Sequence, residues 1–544
     1  MSQASITGRF RIDPLTRQML DDSNRTVIFH GVNMVYKVPP YIPSDENFDP
    51  ELSVTDQDIE DLVRWGFNFV RLGVMWEAVE RGPSQYNMTY LDEVEKLVNK
   101  LGEKGIYTLI DAHQDVLTRK FCGEGIPSFY AQDELLSHSC YQGYLPIISQ
   151  YADICKSLED YNFRKDDDGL PLIEDCQKHM FVQYYLSPES MSLFERLYYN
   201  TSTQSIQGNF VSFWQVVAER FALNPYVVGY DPLNEPFPSN MYTHPELVGV
   251  PGLFDREALQ PLYNRVFNEA YLPAGGQKAM FFEPAQFPDF YGMEGGIIFN
   301  LGFSEAPGGA NHTSLQVLND HTYCCEVSVD MCATGEPPLN ASQTCRNFHE
   351  KRVTTRLEDA DRYGVPLFIS EFGACLDTPS CVMEITAVTD VCDEHLVGWA
   401  YWQFKSFGDL TTTAGTQSEG FYSKDGTLQD NKVQALTRTY LPTTQGQLLS
   451  MHFNTSTAYF QAKFKVDTQI SEPTVIYWSQ EYWYPQGFNF QMSDPLGNIL
   501  VLGQDYELNF SKKNYATVKV INQELNGRVM MMRLKAKYIS ASQN

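Results

Sequence analysis

A (β/α)8 TIM barrel, eight parallel strands alternating with helices, followed by a small antiparallel β-sandwich, is the fold predicted for these 544 residues. Three observations predict it. Eight apolar runs of strand length are separated by amphipathic stretches of helix length or by long irregular segments, the alternation that builds a parallel sheet. Two of those runs, Val227-Val-Gly-Tyr-Asp-Pro-Leu-Asn-Glu235-Pro and Val365-Pro-Leu-Phe-Ile-Ser-Glu371-Phe-Gly, end on a glutamate. The C-terminal ends of barrel strands are where such folds hold their chemistry. From about Gln434 onward the apolar residues alternate with polar ones, the mark of strands with one buried face. The expected division is a barrel over 1–433, with a long insertion at about 119–203, and a sandwich over 434–544.

The eight expected strands are Thr26 to Val35, Phe67 to Val74, Tyr107 to Ala112, Val227 to Asn234, Ala279 to Pro284, Ser314 to Tyr323, Val365 to Glu371 and Leu396 to Phe404. Between them, helices are expected at Thr55 to Trp65, Tyr90 to Lys104, Phe210 to Leu223, Asp255 to Tyr271 and Phe348 to Tyr363. In the second of these, Leu91, Val94, Leu97, Val98 and Leu101 fall at helical spacing, which turns Asp92, Glu93, Lys96 and Lys100 towards water. Sandwich strands are expected at Phe460 to Val466, Pro473 to Tyr484, Tyr515 to Ile521 and Arg528 to Ile539, with turns at Pro485-Gln-Gly, Asp494-Pro-Leu-Gly and Asn526-Gly.

A hydrophobic fraction of 43% supplies an ordinary globular core. No apolar run approaches the ~18 residues of a membrane span. Lys and Arg total 40 against 68 Asp and Glu, and the net charge of -28 argues against nucleic acid as a partner. An anionic membrane would repel such a chain at neutral pH. The acidity fits an acidic compartment and fits solubility alone equally well. Eleven cysteines fall in three groups, Cys122/Cys140/Cys155/Cys176, Cys324/Cys325/Cys332/Cys345 and Cys375/Cys381/Cys392. None has the Cys-x-x-Cys layout of a zinc ribbon, so disulfides are expected, with one thiol left over. Seven glycosylation sequons begin at Asn24, Asn87, Asn200, Asn311, Asn340, Asn454 and Asn509. Cysteines and sequons together predict a secreted or lysosomal protein. The first residues, Met-Ser-Gln-Ala-Ser, have neither the basic start nor the apolar core of a signal peptide, so either one has been removed or the protein is not secreted.

Two carboxylates at barrel strand ends suit glycoside hydrolysis, in which one acid protonates the leaving oxygen and the other attacks the sugar carbon. Either glutamate alone could equally be half of a structural ion pair. Their company decides between these readings. Arg71 in Val-Arg-Leu-Gly-Val, His113 in Asp-Ala-His-Gln-Asp, Asn234-Glu-Pro236, His321-Thr-Tyr323, Glu371-Phe-Gly373 and Trp402 follow one another along the chain at the expected strand ends. In that order, over residues 25 to 405, the chain resembles glycoside hydrolase family 5. Three further features are similar to the endoglycoceramidase branch of that family: His113-Gln-Asp115 followed by Gly123-Glu-Gly-Ile-Pro, Lys37 after the first strand, and the appended sandwich. Much of Arg119 to Thr203 matches no recognisable pattern.

The resemblance implies roles for each of these residues. Glu235 would be the general acid/base and Glu371 the nucleophile, kept ionised by donors such as Arg71 and Tyr323. A separation of roughly 5 Å would give retention through a glycosyl ester on Glu371. Asn234 would bind the sugar 2-hydroxyl and Trp402 would floor the sugar ring. His113 and His321 would hydrogen-bond the sugar or the carboxylates, and Lys37 and Asp115 would recognise hydroxyls further out or merely form a surface pair. Glu283, a third carboxylate at the same barrel face, reads as a partner of the catalytic residues or as a substrate contact. No metal or cofactor is called for, and neither His-x-x-x-His nor His-x-His occurs.

The implied substrate is a glycosphingolipid cleaved between oligosaccharide and ceramide, met at a membrane or micelle surface. Leu145-Pro-Ile-Ile-Ser and Met180-Phe-Val-Gln-Tyr-Tyr-Leu in the insertion would either line a ceramide channel or pack the insertion onto the barrel. The alternatives are a family 5 hydrolase of glucosylceramide, steryl glucoside or β-glucan, net transglycosylation, and a glycolipid-binding protein on an inactive barrel.

Overall fold

The computed structural model describes residues 10–132, 155–285, 297–324, 336–412 and 419–537. Eight parallel strands close into a barrel: β1 (His30–Met34), β2 (Phe69–Gly73), β3 (Tyr107–Asp111), β4 (Val227–Asp231), β5 (Ala279–Phe282), β6 (Gln316–His321), β7 (Leu367–Glu371) and β8 (Gly398–Tyr401). They pair in chain order, and β8 returns to β1. Nearly every strand residue is buried, as expected where helices cover one face and the barrel interior fills the other. Each expected strand is present with trimmed ends. The first divides in two: Thr26–Val27 pairs with Thr443 and Thr444 in a different sheet, and only His30–Met34 joins the barrel. The run from Thr26 to Val35 shows no clean alternation to mark where one strand stops and the next begins.

The barrel interior is layered. Phe29, Phe69, Leu109, Phe281, Val317, Phe368 and Ala400 form an apolar floor, closed below by Ile12 and by the partly buried Phe10. Side chains on one face recur every second residue, so the next inward layer holds Arg71, Asp111, Asp231, Glu283, Asn319 and Ser370. A dry floor beneath a polar layer keeps water from approaching the charges from below.

Around the barrel, helix Asp56–Arg64 starts with a capping box: Thr55 accepts the Asp58 backbone N–H, and Asp58 accepts that of Thr55. Helix Met88–Glu103 buries Leu91, Val94, Leu97, Val98 and Leu101, the predicted stripe. Helices Ile206–Phe221, Ser342–Tyr363 and Pro379–Glu394 cover further strands, and the expected helix at 255–271 runs as Gln260–Val266 with a π-helical turn at each end. Between β5 and β6 the described residues supply only the 3₁₀ turn Ala310–Leu315. No helix among the described residues is long and apolar enough to cross a membrane.

Disulfides join Cys122 to Cys176, Cys324 to Cys345 and Cys375 to Cys381, and Cys392 is a free, buried thiol. The first lies within the insertion, joining its start after β3 to Cys176. Cys140, Cys325 and Cys332, like Leu145-Pro-Ile-Ile-Ser, lie outside the described residues. Of the other insertion motif, Tyr184 and Tyr185 are buried, whereas Met180 and Val182 are exposed.

The second unit is a sandwich of two antiparallel sheets. One has four strands, β10 (Gly446–Asn454), β11 (Tyr459–Val466), β16 (Val529–Ala536) and β13 (Phe488–Ser493). The other has seven: Arg11–Ile12, Met19–Leu20 and Thr26–Val27 from the N-terminus, then β9 (Tyr440–Thr444), β12 (Thr474–Tyr477), β15 (Tyr515–Val520) and β14 (Tyr506–Lys512). The expected strand from Pro473 to Tyr484 stops at Tyr477, because the chain turns back and the Trp483 and Tyr484 N–H groups donate to the Ser479 carbonyl. The sandwich core sets Met530, Met532 and Leu534 among Phe460, Ala462 and Phe464. Against the barrel, Tyr440 donates to the Gly66 carbonyl, Tyr477 to that of Arg64, and Arg438 to Asp393. All three contacts lie near the N-terminal ends of the strands, leaving the opposite mouth open.

Candidate active site

Arg71 is the hub of the polar layer and is fully buried. Its guanidinium donates to Glu371 at 2.5 Å, Asn234 at 2.9 Å, Asp231 at 3.0 Å, Asp111 at 3.0 Å, Glu283 at 3.1 Å and Asn33 at 3.3 Å. A planar fork with five N–H donors suits this task, since several acceptors are fixed from one side chain. The carboxamide of Asn234 is held from both ends, because its own N–H donates to the Gln114 carbonyl at 3.0 Å.

His321 lies between the two predicted glutamates. Its Nδ1 is 2.8 Å from Glu235 Oε1 and 3.5 Å from Glu371 Oε2; its Nε2 is 3.0 Å from Ser370 Oγ and 3.2 Å from Glu283 Oε1. A register shift between Asp320 and His321 re-aims this strand end. Tyr323 donates its hydroxyl to Glu371 Oε2 at 3.1 Å. One carboxylate oxygen of Glu235 and one of Glu371 lie within 4.8 Å of each other. Their settings differ: the Glu235 side chain is 30% exposed and that of Glu371 only 6%. Gly373 follows Glu371 at φ +101°, and a Cβ there would come within 2.2 Å of the Tyr401 ring, so glycine alone fits.

The second half of the site is built on Lys37, which is 2% exposed and therefore no surface residue. Its ammonium meets Thr411 at 2.7 Å, Asp115 at 2.8 Å, Asp409 at 2.9 Å and Glu124 at 3.3 Å, and stands 4.8 Å from the Trp402 ring centroid. Tyr185 of the insertion donates to Asp115 at 3.2 Å. The other face of the group is His113, stacked on Trp402 at 5.0 Å, with Nδ1 2.9 Å from Asp111 and Nε2 3.5 Å from Asp115. Asp111 thus joins the two halves, and all ten predicted site residues fall in one connected network.

Charge is balanced internally. Burial alone would lower the His321 imidazole, but Glu283 and Glu371 outweigh it and hold it well above its ordinary value. Burial raises Glu371, opposed by His321 and Arg71. For Glu283, burial is overcome by His321 and Arg71, which bring it to about 2, while burial and the Glu283 charge push Asp231 well up. For His113, burial is outweighed by Asp111 and Asp115, which lift it to about 9.

That last shift has a sign. A histidine raised from 6.5 to about 9 by folding contributes stability that is complete below about pH 6.5 and lost as pH climbs through 9. Denaturant unfolding from pH 6 to 9.5 is expected to show this decline, and His113→Gln should remove that part of the slope. An unchanged slope in the variant would sink the assignment.

Asp111, Asp231, Asn33 and Asn319, and around Lys37 the residues Glu124, Asp409, Thr411 and Tyr185, complete the network without having been predicted. A signal existed for the first set: a polar residue inside an otherwise apolar run, as in Leu-Ile-Asp-Ala or Gly-Tyr-Asp-Pro, must face an interior partner.

With this geometry in hand, comparison with known proteins is direct. The family described as Cellulase (glycosyl hydrolase family 5) matches residues 21–164 and 189–408, and the glycoside hydrolase family 5 C-terminal domain matches 438–530. An endoglycoceramidase of Cyanea nozakii is 30% identical over 480 residues, covering 88% of this chain and 86% of the relative. One from Hydra vulgaris is 28% identical over 484 residues, covering 89% and 83%. In fold, the chain is similar to endo-glycoceramidase II from Rhodococcus sp. in its ganglioside GM3 complex, with a TM-score of 0.67, 19% identity and coverage of 95% and 99%. The match to both family domains, in the order in which barrel and sandwich occur, means that this chain belongs to glycoside hydrolase family 5.

Proposed function

We propose that the protein hydrolyses the β-glycosidic bond between the oligosaccharide and ceramide of glycosphingolipids, with retention of configuration. The observation that carries the reading is the pair of carboxylates within 4.8 Å at the barrel mouth, a separation suited to direct attack rather than to an intervening water. Glu371, receiving hydrogen bonds from Arg71 and Tyr323, attacks the anomeric carbon and forms a glycosyl ester. Glu235 gives its proton to the departing ceramide oxygen and then takes one from the water that cleaves the ester. Asn234 is placed for the 2-hydroxyl, where hydrogen bonding strengthens in the transition state. Trp402 offers a ring face to the sugar, and Lys37, Asp115 and His113 offer donors and acceptors to hydroxyls.

Chain-length similarity to proteins named endoglycoceramidase, sandwich included, supports the glycolipid substrate. So does the distribution of apolar side chains. Met180 and Val182 on the insertion, Val250 after β4 and Ile297 after β5 are exposed on loops at the mouth end of the barrel. A membrane or micelle would face this rim. Three disulfides joining cysteines among the described residues, and sequon asparagines exposed at Asn200, Asn311, Asn340 and Asn509, support a glycosylated protein of a secreted or lysosomal compartment.

The test is incubation with a defined ganglioside and with glucosylceramide, followed by mass spectrometry of the products. Intact oligosaccharide and free ceramide are expected from the ganglioside. Release from glucosylceramide alone, or from neither, would overturn the reading.

A further inference from the structure

Glu283 follows β5, is 1% exposed, and lies beside the Asp231 carboxyl. Its Oε2 accepts the Glu235 backbone N–H at 2.8 Å, and its Oε1 faces Arg71 at 3.1 Å, Asn319 at 3.2 Å and His321 Nε2 at 3.2 Å. Four donors on two oxygens require a group that only accepts. A glutamine would aim an N–H at one of them.

The first contact is to the residue that carries the acid. Glu235 has φ +38°, in the left-handed region that a side chain with a Cβ disfavours. Such a backbone is held by its surroundings. The His321 contact acts at the other end of the same residue, since the imidazole that Glu283 receives through Nε2 holds Glu235 Oε1 through Nδ1. The Glu283 charge also counters that of His321, which Glu283 and Glu371 together hold well above its ordinary value.

We propose that Glu283 is a positioning residue for the acid step: it aims Glu235 at the leaving oxygen, directly through the backbone N–H and indirectly through His321. The inference rests on Glu235 being the acid/base, as proposed above.

Leaving groups separate this from a merely structural role. Aryl β-lactosides whose phenols range from weakly acidic to 2,4-dinitrophenol are cleaved with decreasing need for protonation. For Glu283→Gln, kcat/KM on the least acidic phenol is expected to fall about 100-fold while the dinitrophenyl substrate changes less than about 3-fold, steepening the dependence on leaving-group pKa. A uniform fall across the series, or no fall, overturns the proposal. Should the glutamine variant not fold, Glu283→Asp, which keeps the charge and withdraws it from the Glu235 N–H, is expected to show the same steepening, and a uniform effect there is equally fatal. Glu235→Ala on the same series is the control: if it leaves the slope unchanged, the acid/base reading itself fails, separately from the Glu283 result.

Discussion

Glu371→Gln is expected to lower kcat/KM for glycolipid by on the order of 10⁴-fold or more while changing affinity for the intact substrate less than about tenfold. The amide keeps the shape of the carboxylate. Its oxygen can still accept from Arg71 and its nitrogen can turn to the Tyr323 oxygen, so the sugar site keeps its form. What is lost is the electron pair that forms the ester. Glu283 and Asp231, the neighbouring carboxylates, are both held by Arg71 in the buried layer. Steady-state kinetics and direct binding measure the two halves of this expectation. Acid quench of the wild type during turnover should yield a Glu371 peptide heavier by one glycan, absent from the variant. A glycan adduct on any other residue would refute the assignment of the nucleophile.

The second large effect is on both stability and turnover. Arg71→Met removes the cation from among Asp111, Asp231, Glu283 and Glu371 and should cost about 3–5 kcal/mol at pH 7, the usual consequence of leaving buried charge without its partner. Activity should be lost with it, since Glu371 and Asn234 lose their common donor. The pH dependence identifies the cause. Without the guanidinium, the orphaned carboxylates have raised pKa values in the folded state and take up protons as pH falls, so the penalty shrinks towards acid. Urea unfolding at pH 7 and pH 5 is expected to show a smaller gap from wild type at the lower pH. An equal gap at both would assign the loss to packing of the arginine stem.

The catalytic half of the site was legible because its residues sit in strand-end motifs, where type and position together restrict the chemistry. Lys37 was legible as a position but not as an environment: Asp409 and Thr411 reach it from the end of the barrel, more than 370 residues along the chain, and no local pattern announces that. Secondary structure divides in the same way. Helix Met88–Glu103 follows its apolar stripe closely. Strands Phe488–Ser493 and Tyr506–Lys512 are not among the expected ones, although they carry an alternation as clean as that of Tyr515–Val520. Strand Gly446–Asn454 hides its period, because an irregularity between Leu448 and Ser450 shifts the phase of every residue after it. Arg11–Ile12, at two residues, has no period to read.

Those short N-terminal strands bear on how the molecule is made. Val27 finds its sheet partner in Thr443, so it must wait for a segment synthesised more than four hundred residues later. At ordinary rates of roughly 5–20 residues per second, that delay is about 20 to 80 seconds. Throughout it Phe10 and Ile12, the stopper of the barrel floor, have no completed sheet to hold them in place. Sealing of the barrel is therefore a late event in biogenesis, and a chain released before Thr443 would emerge with its base unfastened.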